Sequence, residues 1–213
     1  MKTADLAALL ARGTPPMERH PVEKRFARAL AAGMAGAAML LLAVYGVRSD
    51  MPQVLAAPLF WVRAAFPLAV ATAALYVASR LARPAAHVGM AWLALALPLF
   101  AVWIAGALFV VEAPPGMRLG LVLGSTWQVC TFNIVLLSLP TFAAMLWAMK
   151  GLAPTRLALA GAGSGLLAGA QAVLVYTLYC IEMAPSFWAV WYVLGMAVPT
   201  LAGACLGPRL LRW

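Results

Sequence analysis

The sequence predicts an all-α polytopic membrane protein, a bundle of six transmembrane helices with a short cytoplasmic N-terminal segment. Three observations predict it. Of the 213 residues, 65% are hydrophobic and only 10% charged, where a soluble domain carries about 25% charged residues. Six apolar runs are each long enough to cross a hydrocarbon core of ~30 Å, which takes about 20 helical residues. The connections between these runs are short, so no extramembrane domain fits between them. Lipid is left as the solvent for most of the surface.

Residues 1–28 form the first division. They are polar, carry the adjacent Pro15 and Pro16, and lack the early apolar core that a cleavable signal peptide needs. Within them, "MKTADLAALLARGTPP" sets Leu6, Leu9 and Leu10 on one helical face, with the two prolines as the stop. A helix this short is marginal alone. Its apolar stripe is expected to lie in a partner's groove or on the bilayer. Residues 29–213 form the second division, with spans at 29–46, 60–79, 88–111, 129–149, 157–178 and 187–207. The alternating segments of about 10 residues that mark a membrane β-barrel are absent.

Pro67, Pro98, Pro140 and Pro199 fall inside spans, where neighbouring helices can satisfy the carbonyls they free. Gly161, Gly165 and Gly169 recur every four residues in the fifth span. Such a stripe lets a second helix approach closely. Packing inside the bundle is the expectation, with homodimerisation as the alternative, so a homo-oligomer stays open.

Lys and Arg set the orientation. With the N-terminus in the cytoplasm, twelve of the fifteen basic residues fall on the cytoplasmic side, and Arg48, Arg63 and Arg118 on the other. Both termini are therefore expected inside. In a membrane protein, a net charge of +9 orients the chain rather than binding nucleic acid.

Signatures of catalysis are missing. There is no HExxH, no GxSxG and no phosphate-binding glycine loop. No catalytic residue is assigned, no cofactor is expected, and the chain is not expected to be an enzyme. His87, at a loop end, reads as an interfacial polar residue. No ionisable residue lies deep in a span, where transporters usually keep them. Asn133 and Gln171 are the notable polar residues within spans, and both read as interhelical hydrogen-bonding groups. A small transporter or channel-like protein with a membrane-surface-binding tail is the alternative reading.

The cysteines are more informative. Cys130 starts the fourth span and Cys180 ends the fifth, so both belong to the face opposite the basic loops. The fourth and fifth spans are joined by a short loop, so they are expected to lie antiparallel and adjacent. Two thiols at an oxidising face could form a structural disulfide, act as a reversible pair, or bind a soft metal, and buried unpaired cysteines are the alternative. Glu182 and Met183 stand beside Cys180 as an oxygen and a soft sulfur ligand, and Cys130 and Cys180 are the candidate metal residues. Arg63, one turn inside the second span, is placed to snorkel to the interface or to pair with Glu182 or Asp50. Cys205, near the other face, reads as a small packing residue.

Several stretches together, "MKTADLAALLARG", "FWVRAAF", "GSTWQVCTFNIVLLSLP", "GLAPTRLALAGAGSGLLAGA", "YCIEMAPSFWAVWYVLG" and "LGPRLLRW", resemble the NrsF family over essentially the whole chain. These are six-span inner-membrane negative regulators of sigma-F-type extracytoplasmic-function sigma factors. The resemblance implies an anti-sigma factor. Its N-terminal segment would hold the sigma factor, and cysteines matching Cys130 and Cys180 would answer heavy-metal or oxidative stress. The family commonly has Pro after the first cysteine, where this chain has Thr131. It commonly has His-Cys-Pro-Glu around the second, where this chain has Tyr179, Cys180, Ile181 and Glu182.

Overall fold

A computed structural model describes residues 20–46, 48–83 and 88–212, together with Thr3 and Asp5. Leu6, Leu9, Leu10 and His87 lie outside the described residues. The elements are α1 (Pro21–Tyr45), α2 (Met51–Ala56), α3 (Pro58–Leu81), α4 (Ala91–Glu112), α5 (Arg118–Leu123), α6 (Trp127–Lys150) and α7 (Leu157–Tyr176). The last helix, α8 (Pro185–Leu210), passes through one π-helical turn at Trp188–Tyr192. No strand occurs among the described residues. Six helical segments are long and apolar enough to cross a membrane, the fourth of them carrying α5 and α6.

The first helix departs most from expectation. It starts at Pro21, eight residues before the predicted span start at 29. His20 sits in a left-handed conformation, and Pro21, with its φ already helical, takes the first helical position. Val22, Phe26 and Ala29 share one face and are buried against Leu81, Met149 and Leu211. The charged residues Glu23, Lys24, Arg25 and Arg28 lie on the rest of this amphipathic turn, and they masked it in the hydropathy pattern. Glu23 also accepts from Arg83 at 2.9 Å, an exposed pair worth about 0–1 kcal/mol.

The centre of the bundle is α7. Of its span, 72% is buried, against 11% for α4. Its glycine stripe faces α8 of the same chain. A Cβ at Gly161 would overlap the Gly203 carbonyl, one at Gly165 the Pro199 carbonyl, and one at Gly169 the Met196 backbone. The packing expectation therefore holds, and the stripe is already occupied within the chain. α6 lies antiparallel along α7, as expected of neighbours joined by a short loop. α1 packs on α6 through two small residues of its own, Gly33 against Thr141 and Gly36 against Pro140. The four predicted prolines all sit inside continuous helices.

Asn133 and Gln171 join helices as predicted. Gln171 donates to the Leu30 carbonyl of α1 at 3.0 Å, and Asn133 bonds to α1 and α7. Between α3, α4, α7 and α8 a small cavity of about 90 Å³ is lined by Ala74, Val77, Leu95 and Leu166, among other residues. It offers no polar passage of the kind the transporter alternative needs. Cys205 does not pack as expected. It is exposed on the bundle surface, because the face of α8 that meets α7 is taken by Gly203 and Gly207.

The glycine contacts predict a contrast. Gly165→Val should destabilise the bundle by about 1–3 kcal/mol or more, because α7 and α8 must separate. Gly163→Ala should be tolerated, since the added methyl would stand 3.7 Å from Leu81. Thermal unfolding of both variants in detergent measures the difference.

Candidate functional site

At the end of the bundle opposite the basic loops, α7 stops at Tyr176 and the chain turns through Thr177–Ala184 into α8. The turn is closed by backbone bonds from Tyr179 N and Cys180 N to the Tyr176 carbonyl, at 3.0 and 2.9 Å. This leaves the carbonyls of Thr177, Cys180 and Glu182 turned toward α3. A helix C-terminus carries partial negative charge, so a cation suits it.

Arg63 supplies that cation. Its side chain is fully buried. One terminal nitrogen, Nη2, donates to Thr177 O at 2.6 Å, and Nη1 donates to Cys180 O at 2.8 Å and to Glu182 O at 2.9 Å. The snorkelling expectation is therefore overturned. Snorkelling wins only where nothing inside can solvate the charge, and here three carbonyls do. The expected ion pairs with Glu182 and Asp50 are also replaced. Arg63 meets Glu182 through its backbone, and Asp50 pairs with Arg48, whose Nη2 donates to it at 2.8 Å.

The Glu182 carboxylate turns the other way. One oxygen accepts from Ser125 N at 2.6 Å, Ser125 Oγ at 2.6 Å and Thr126 N at 3.2 Å. Thr126 is the N-cap of α6 and its own side chain makes no capping bond. A carboxylate from the next segment thus serves the free N–H groups and the positive end of the helix. Gly124 allows this approach. Its φ of +61° is open to glycine, and a Cβ there would fall 2.8 Å from the Glu182 carboxyl carbon.

These two clamps set the cysteines. Cys180 lies between the carbonyls that Arg63 holds, and Cys130 lies in the first turn of α6 just past the Glu182 cap. Both thiols are free, buried, and members of one apolar cluster with Tyr176, Phe187 and Tyr192. Met183 is half-buried beside Glu182. Among the described residues no three His, Cys, Asp or Glu side chains converge on a metal position.

Tyr45, Arg48, Tyr176, Ser125 and Thr126 complete the site, and sequence reasoning passed over them. Tyr45, the last residue of α1, donates to Asn133 Oδ1 at 2.7 Å, and Asn133 Nδ2 donates to the Tyr176 hydroxyl at 3.3 Å. Arg48 Nη1 donates to the Cys180 and Tyr179 carbonyls at 3.3 and 3.4 Å. Arg48 holds Asp50 below the usual carboxylate range through their hydrogen bond. The pair persists at neutral pH and is lost only as pH falls through that lowered value. Arg48 did carry a sequence signal, being one of three basic residues away from the basic end.

A family model, "Negative regulator of sigma F", matches residues 10–213. The chain belongs to the NrsF family. It is 44% identical over its full length to all of the "Probable anti-sigma-F factor NrsF" of Azospira oryzae. It is 36% identical, again over the whole of both chains, to the "Anti-sigma-F factor NrsF" of Caulobacter vibrioides. No solved structure matches. Membership of a family of anti-sigma regulators agrees with the absence of catalytic motifs, and it leaves the transporter alternative without support.

The clamp predicts that Arg63→Met costs about 1–3 kcal/mol, the cost of one unpaired buried acceptor, since Thr177 O depends on Arg63 while Cys180 O keeps Arg48 and Glu182 O keeps Trp188 Nε1. Arg63→Lys should recover only part of it, because an ammonium is a compact point charge without the planar fork. Unfolding midpoints in detergent should rank native, then Lys, then Met.

Proposed function

We propose that the protein is a membrane-embedded anti-sigma factor of the inner membrane. Its N-terminal segment, residues 1–28, sequesters an extracytoplasmic-function sigma factor in the cytoplasm. A heavy-metal or redox signal acting on Cys130 and Cys180 at the periplasmic face releases it. The twelve-to-three division of basic residues supports that orientation.

The observation that carries the reading is the path of α1. The helix starts at Pro21, within the N-terminal segment, and ends at Tyr45, bonded to Asn133 and through it to Tyr176. Three residues on, Arg48 holds the Cys180 carbonyl. The helix that roots the tail is fastened at its far end to the cysteine loop. A modified or metal-bound thiol no longer fits the shell in which Cys130 and Cys180 are buried. The loop must then shift, and the end of α1 with it. Arg63, Glu182 and Met183 belong to that loop's support, so they take part in sensing without being attacked themselves.

Magnitudes allow this. A hydrogen bond contributes about 0.5–1.5 kcal/mol net, more when charged. Moving a two-state equilibrium from 1:99 to 99:1 takes about 5.5 kcal/mol. Losing the Tyr45, Arg48 and Arg63 contacts together reaches that scale. On the tail, Leu6, Leu9 and Leu10 supply the apolar contact to the sigma factor.

Transcription from a sigma-dependent reporter tests the reading. Leu6→Glu with Leu9→Glu should give constitutive expression, because two charges enter an apolar interface. Cys130→Ser and Cys180→Ser should each keep repression and lose induction. Tyr45→Phe should keep repression and blunt induction. Full repression by the inserted Leu6→Glu, Leu9→Glu protein would refute the tail's role.

A further inference from the structure

We propose that Cys180, not Cys130, is the first thiol to react, and that its reagents are small disulfides and small thiol-directed electrophiles. The two cysteines are both buried, yet their surroundings differ. A pocket of about 370 Å³ opens at this end of the bundle, lined by Tyr45, Arg48, Thr126, Tyr176, Tyr179 and Cys180, among other residues. Cys130 does not line it. Its side chain is fully buried in the first turn of α6 within the apolar cluster. A molecule entering the pocket therefore meets Cys180 and is screened from Cys130.

The pocket also differs in chemistry. Reactive cysteines occupy electropositive, reachable surroundings, whereas cysteines in apolar shells are inert. Two guanidinium groups, Arg48 and Arg63, donate to the Cys180 carbonyl. Arg63 Nε and the Tyr192 hydroxyl, buried in the same region, have no hydrogen-bond partner. Donors are thus available beside Cys180. Three tyrosine rings line the walls, with Tyr45 and Tyr179 centroids 4.8 Å apart. They favour a flat, uncharged or weakly polar reagent.

With a small disulfide, the Cys180 sulfur gives up its proton and attacks one sulfur of the reagent. The reagent's S–S bond breaks, a mixed disulfide forms at Cys180, and the departing thiolate takes a proton. With a maleimide, a bond forms from sulfur to an alkene carbon and the proton goes to the neighbouring carbon. The order of reaction stands on geometry alone. Its meaning as a signal input rests on the cysteine reading above.

Dithiodipyridine and N-ethylmaleimide, each at limiting concentration, test this on the full-length protein in nanodiscs. Cys205, exposed on the bundle surface, is first replaced by alanine. Mass spectrometry should find Cys180 modified at least about tenfold faster than Cys130, equivalent to about 1.4 kcal/mol of barrier. Cys130→Ser should leave the Cys180 rate unchanged. Ile181→Trp, an exposed pocket-rim residue, should slow it with no change in unfolding midpoint. Cys130 reacting first, equal rates, or no reaction until denaturant is added would each overturn the proposal. A preserved order with no effect on sigma release would leave it standing and refute the signalling reading instead.

Discussion

The cysteine end depends on one desolvated cation. Arg63 sits fully buried one turn into α3, in a bundle whose exterior is built for lipid. A charge taken out of water is costly unless polar groups replace its hydration. Here the replacement is a helix end. Carbonyls of Thr177, Cys180 and Glu182 accept from the guanidinium, and the dipole of α7 points its negative end at it. The dependence runs both ways. Without Arg63 the Thr177 carbonyl loses its donor and those of Cys180 and Glu182 keep only Arg48 and Trp188, and without the loop Arg63 has nothing to solvate it. The YCIEM turn is thereby held in one conformation inside a bundle that has little other polar structure.

The remaining contacts at this end extend that conformation to neighbouring helices. Glu182 carries it to α6, where its carboxylate accepts from the Ser125 and Thr126 N–H groups at the start of the helix. Arg48 and Tyr45 carry it to α1, the first through the Cys180 carbonyl and the second through Asn133. Cys130 and Cys180 occupy the space between these supports. A buried thiol is a small hydrophobe until it is modified, after which its volume and polarity no longer suit its site. A tightly determined loop around such thiols is what a chemical input needs, because interiors packed this closely shift between discrete arrangements.

Much of this was legible in the sequence, and the gaps have physical causes. Span positions followed from hydropathy, since lipid demands unbroken apolar runs. The placement of Cys130 and Cys180 at one end followed from counting spans. The start of α1 was missed because its first two turns are amphipathic, with Val22 and Phe26 buried beneath four charged residues. Arg63 was seen as unusual but given the wrong partner. Sequence patterns pair charges with charges, and its actual acceptors are backbone carbonyls, which every residue has. The Glu182 carboxylate was misassigned for the same reason, its partners including the backbone N–H groups of Ser125 and Thr126. Asn133 was legible as an interhelical group, but its partners Tyr45 and Tyr176 left no trace, because they lie 88 and 43 residues from it.

The central claim is that the cysteine loop and the far end of α1 form one mechanical unit held by Arg63. Amide hydrogen exchange on native and Arg63→Gln protein in nanodiscs measures this directly. Exchange should accelerate in residues 177–183, where the Cys180 amide bonds to Tyr176 O at 2.9 Å. It should accelerate equally in residues 43–48 at the end of α1, while residues 157–165 at the far end of α7 stay protected. Faster exchange confined to 177–183, with 43–48 unchanged, would contradict the claim.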